Sequence, residues 1–66
     1  MATVKVIELL SSSPKSWTDA TDLAIKKASK TVRGIRSANI QNIGVTVEDG
    51  KIKEYRVNVK MTFGLE

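Results

Sequence analysis

The chemistry open to this chain is bounded first by two absences: its 66 residues contain no histidine and no cysteine. Imidazole or thiolate metal sites, hydrolase dyads built on a histidine base, and disulfides are therefore all excluded. Of the seven carboxylates, those closest in sequence are Asp19 with Asp22 and Glu48 with Asp49. Neither pair is placed for acid/base work. Asp19 and Asp22 fall where a helix would begin, where a negative charge meets the positive end of the helix dipole. Glu48 and Asp49 precede a glycine, as turn residues do. Among the eleven cations, Arg56 stands in one line with Asn58 and Lys60. A guanidinium there can donate to carbonyl oxygens or to a carboxylate or phosphate. These residue types point to binding rather than to catalysis.

That line belongs to a strand. Tyr55, Val57, Val59, Met61 and Phe63 alternate with Arg56, Asn58, Lys60 and Thr62, which gives one face to bury and one to meet solvent or a polar ligand. Asp49-Gly50 is the favoured two-residue hairpin turn and sets Glu48 opposite Lys51. The strand before it, 38–47, shifts its apolar positions from Ala38 and Ile40 to Ile43, Val45 and Val47. A bulge near Asn42-Ile43-Gly44 would restore one common face. At the other end of the chain, 3–10 reads as a strand with Val4, Val6 and Leu10 on one side and Ile7 and Leu9 on the other, followed by a Ser-Pro loop.

Between these strands, Ser16-Trp17-Thr18-Asp19 has the form of a capping box, with Ser16 accepting from the Asp19 N–H and the Asp19 carboxylate reaching back. A helix of about 17 residues should start at Trp17 and stop at Gly34. Ala20, Ala24 and Ala28 give it a slim face that can approach a sheet closely. Trp17 at its first turn reads as a packing or interface residue. The expected fold is α+β: one β-α-β-β domain, 1–66, with a three-stranded antiparallel sheet in order 1-3-2 and the helix on one face.

A chain this short removes only about 60% of its surface from water on folding. Without disulfides or the usual structural metal ligands, oligomerisation is the expected remedy. No run is long and apolar enough to span a membrane or serve as a secretory signal, so no membrane partner and a cytoplasmic location follow as defaults. The net charge of +4 raises nucleic acid as a partner. However, Lys26, Lys27, Lys30 and Arg33 lie at helical spacing opposite the apolar residues and away from any aromatic, which fits a solvated helix face better.

Several adjoining segments together resemble the dodecins: Val4-Lys5-Val6-Ile7-Glu8-Leu9, the Ser13-Pro14-Lys15-Ser16 loop, the helix ending Ala28-Ser29-Lys30-Thr31-Val32-Arg33, and the closing 55–63 strand. The resemblance covers nearly the whole chain. It implies a non-enzymatic homododecamer, a hollow shell that binds, stores or buffers a small ligand, with flavin (FMN, riboflavin or FAD) as the family default. In flavin-binding dodecins a tryptophan early in the second strand stacks on the isoalloxazine ring and a glutamine in the third strand bonds its polar edge. Those positions fall on Ser37 and Arg56 here. Ser37 offers no aromatic platform, and Trp17 lies in a different element. Arg56 could donate to flavin carbonyls, hold a phosphate or carboxylate, or pair with Glu54 or Asp49 of the partner subunit. The resemblance also leaves a second role open, a structural or cation- or nucleotide-binding assembly without flavin.

Overall fold

The computed structural model describes residues 3–65. Four elements follow in order: β1 (Thr3–Ser13), α1 (Trp17–Ser29), β2 (Ile35–Glu48) and β3 (Lys51–Leu65). The three strands form one sheet in the order β1-β3-β2, with both pairings antiparallel. The central position of β3 follows from its clean alternation. Val57, Val59 and Met61 are fully buried, while Arg56 and Lys60 on the opposite face are exposed.

α1 closes the inner face of the sheet. Ala20, Ala24 and Ala28 recur every four residues and are its buried positions, joining Val57, Val59 and Met61 in the core. Methyl side chains let the helix lie close to the valines of β3 without loss of rotamer entropy. Ile7, Leu9, Ile25, Ile35 and Ala38 pack around this centre. On the solvent side Asp22 pairs with Lys26 at 3.0 Å. The hydrogen bond and charge of that carboxylate hold the Lys26 ammonium above its ordinary pKa.

Two boundaries and two capping features differ from those read in the sequence, each for a local reason. β1 runs on through Ser11, Ser12 and Ser13, because these serines pair with Val57, Arg56 and Tyr55 of β3. The helix ends at Ser29, not near Gly34. The N–H groups of both Thr31 and Val32 converge on the Ala28 carbonyl, at 3.1 and 2.8 Å, which closes the last turn. Gly34 does have a positive φ of 74°, but it turns the chain into β2 instead of capping α1. Only half of the capping box forms. Ser16 Oγ accepts from the Asp19 N–H at 2.9 Å, whereas the Asp19 carboxylate turns away to accept from Ser13 Oγ at 2.5 Å. Ser13, fully buried, also accepts from the Lys15 N–H at 3.0 Å. A single hydroxyl thus fastens the end of β1 to the start of α1.

The parity switch in β2 is present, slightly earlier than expected. Ile40 pairs with Val59 and Asn42 with Asn58, leaving Gln41 as the extra residue. Ala38, Ile40, Ile43 and Val45 then share the inner face. Further register shifts occur between Ile35 and Ser37 and between Thr46 and Val47. The hairpin closes with Glu48 opposite Lys51, with φ of 53° at Asp49 and 72° at Gly50, the two left-handed residues of a type I′ turn.

The molecule is a blade, 50 × 20 × 13 Å. A helix of 13 residues spans about 20 Å and so covers under half of it. Beyond Tyr55 the hairpin carries no cover: Val47 is 65% and Ile52 53% exposed.

Candidate functional site

Because side chains alternate along β3, its helix-free face is a ladder of polar groups flanked by those of β1 and β2. Leu10, Asn58 and Asn42 form one cross-strand row, and Ser12, Arg56 and Gly44 form the next. These six residues line a cleft of about 280 Å³ that crosses all three strands. The Gln41 bulge builds it, since the extra residue brings Asn42 and Gly44 to the same side as Arg56.

The Arg56 guanidinium lies over Gly44. A Cβ at position 44 would sit 3.4 Å from its Nη2 and 3.9 Å from its Nε, ordinary contact distances, so the guanidinium rests directly above the glycine. No carboxylate among the described residues forms an ion pair with Arg56. Beside it, Asn58 Oδ1 is buried and has no hydrogen-bond partner. On the opposite side of the sheet, the Trp17 indole N–H donates to the Gly44 carbonyl at 2.9 Å, and its ring meets Tyr55 edge-on at 5.0 Å. Trp17 is thus the packing residue its position suggested, held between the helix start and the floor of the cleft.

Ser37 lies on the same outer face but elsewhere. It pairs with Thr62, and the two hydroxyls are 2.5 Å apart. From Thr62 to Arg56 is six residues along β3, or about 20 Å at strand rise. One protomer does not bring Ser37 and Arg56 to the same small molecule. A ligand touching both would have to draw them from different copies of the chain. Near Ser37, the Arg36 guanidinium occupies the side-chain space of Gly64, where a Cβ would lie 2.8 Å from its Nε and Nη2. Arginine seated on strand glycine therefore occurs twice on this face.

Leu10, Asn42 and Gly44 had no individual signal in the sequence. Asn58 did, through its place in line with Arg56.

A family model described as dodecin matches residues 3–66. This chain belongs to the dodecin family. Dodecins are non-enzymatic proteins that bind small ligands, and the polar face described above belongs to such a protein. The dodecin of Streptomyces coelicolor superposes with a TM-score of 0.94 at 29% identity, covering 98% of this chain and 93% of that one. A Thermus thermophilus dodecin mutant gives 0.94 at 29% identity over 100% and 98%. Calcium dodecin of Mycobacterium tuberculosis is 30% identical over 63 residues, which is 96% of this chain and 89% of that protein. Its crystal structure, described as calcium-chelating, superposes with a TM-score of 0.85.

Proposed function

We propose that this dodecin forms a homododecameric shell that stores or buffers a small ligand, with a flavin (FMN, riboflavin or FAD) the first candidate and the ring-stacking part of that site degraded. The observation that carries the reading is surplus surface. The protomer exposes 4945 Å², against about 4100 Å² for a compact monomer of its mass. Much of the surplus is apolar: Val4, Val6, Leu10, Ile40 and Ile43 are all between 47% and 82% exposed. Apolar area on that scale marks a surface that meets another chain, and in a dodecin that chain is a second copy.

The flavin part of the reading rests on positions 37 and 56. The chain's tryptophan, Trp17, is engaged with Tyr55 and Gly44, while position 37 holds a serine bonded to Thr62. An aromatic stack is worth about 1–3 kcal/mol per ring. Its absence weakens a flavin by roughly ten- to a hundredfold for each ring lost. Arg56 replaces a neutral amide with a donor that matches carbonyl or phosphate oxygens.

A second reading, a cation-binding shell, is favoured by the calcium-named relative. Among the described residues of one protomer no three acidic groups come together, so a cation would need carboxylates gathered from several copies.

Light scattering combined with absorbance between about 350 and 500 nm tests both parts. A particle of twelve 7.2 kDa chains is the expected result, and a monomer would sink the assembly. Adding flavin to wild type and to Ser37→Trp tests the pocket, with stronger quenching of flavin emission expected in the variant. Equal, negligible quenching would remove flavin from the reading, and calcium uptake on dialysis would move it to the second.

A further inference from the structure

We propose that the tip of the β2–β3 hairpin, 47–52, of one protomer seats in the groove between the free edge of β1 and α1 of a second copy. Val47 and Ile52 then cover Leu9 and Leu23, and Asp49 pairs with Lys27. The proposal rests on the reading that this chain assembles with copies of itself, and it names the surfaces that meet.

The two free edges of the sheet are built differently. β2 meets β3 with three register shifts, and such irregularities blunt an edge against further pairing. β1 runs through eleven consecutive pairs with β3 and no shift, and no strand among the described residues takes its other edge. A long, regular edge of this kind is a template for another chain. Beside the helix, Leu9 and Ser11 of β1 face Leu23, Ala24 and Lys27 of α1 across a groove of about 310 Å³. Edge backbone next to a helix, over an apolar floor, is the setting in which an extended segment is added to a sheet.

What the groove lacks, the hairpin supplies. Val47 and Ile52 stand opposite each other across the two strands, and both are more than half exposed. They lie past the end of the helix, so their own protomer has nothing to cover them. The charges match as well. Lys27, exposed at the groove, has no ion pair among the described residues, whereas Lys26 beside it is engaged by Asp22. At the tip, Glu48 is engaged by Lys53 at 2.8 Å. Asp49, exposed in the turn, has no ion pair among the described residues. A cation and an anion without partners thus stand at the two surfaces, and an apolar surround strengthens their attraction and fixes the register of docking.

The chain has no cysteine, so introduced thiols report without interference. In the assembled protein carrying Lys27→Cys with Asp49→Cys, a short bis-maleimide should join separate chains into a ladder on a denaturing gel. Thr18→Cys with Asp49→Cys places the first thiol at the other end of α1, and the ladder should be about tenfold weaker there. Light scattering on diluted protein gives the second measure. Lys27→Glu and Asp49→Lys should each raise the concentration at which the particle dissociates by about tenfold, and the two together should return it to within about threefold of wild type. An intact particle whose 27–49 thiols join no better than the control pair overturns the proposal and leaves the assembly standing. A combined charge swap no more stable than the weaker single variant overturns it too. A wild type that stays monomeric overturns both this contact and the shell, while a cross-linked particle of some other size keeps the contact and corrects the number of chains.

Discussion

The two faces of β3 are made from alternate residues of one strand, yet they differ in almost every physical respect. On the inner face Val57, Val59 and Met61 are sealed by the alanines of α1, with no polar side chain between them. The outer face sets Arg56, Asn58, Lys60 and Thr62 in a row, with a buried oxygen unpaired and two arginines lying over glycines. The first arrangement is the one apolar transfer favours, about 1.5–3 kcal/mol for each large side chain buried. The second leaves hydrogen-bonding capacity unused, which is what a protomer awaiting a ligand or a neighbour presents. Stability and binding are thus assigned to opposite parities of one strand, so substitutions one residue apart should affect different properties.

The largest separation should come from Val59→Asp, which places a charge in the centre of the sealed face. It should abolish folding, read as loss of soluble particle and of circular dichroism; an intact oligomer would refute the assignment of the faces. Met61→Ala keeps the face apolar but leaves a cavity, and should lower the urea-derived stability by about 2–5 kcal/mol. Ser13→Ala cuts the tie between β1 and α1 and removes a donor to the half-buried Asp19 carboxylate, at about 1–3 kcal/mol. Ser16→Ala removes only the helix cap, at about 1 kcal/mol. Arg56→Gln, next to the buried Val57, should shift stability by no more than about 0.5 kcal/mol while changing what binds. If its stability loss matched that of Met61→Ala, the division between the faces would fail.

What the sequence made legible was whatever a short window contains. The alternation of 55–63 and the Asp49-Gly50 turn are local patterns with few alternative readings, and both appear as read. The sheet order and the parity break in β2 were also recoverable, because a run of apolar residues that changes parity needs an extra residue somewhere. The helix end was not. Thr31 and Val32 continue the helical spacing by composition, but their N–H groups close on Ala28, a choice made by the chain's path into β2. Asp19 was misread for a related reason. Ser13 competes for its carboxylate, and that competition exists only once β1 and α1 are side by side. Arg56 could be singled out from its neighbours in sequence. The cleft around it could not, since Leu10, Asn42 and Gly44 become its neighbours only through cross-strand register, and a single residue, Gln41, resets that register. Ser37 could be placed on the outer face but not at its distance from Arg56, which depends on the pairing of β2 with β3.

The bond between the Trp17 indole and the Gly44 carbonyl has a practical consequence for any such experiment. The chain has one tryptophan, and its ring sits beneath the same glycine on whose other side Arg56 lies. Indole emission responds to the strength of its N–H bond and to nearby charge. A molecule that draws the guanidinium off its seat would therefore register as a change in the colour and intensity of ultraviolet emission, read through the thickness of a single sheet. The indole thus reports, without a label, on the outer face of the sheet from the side where the helix lies.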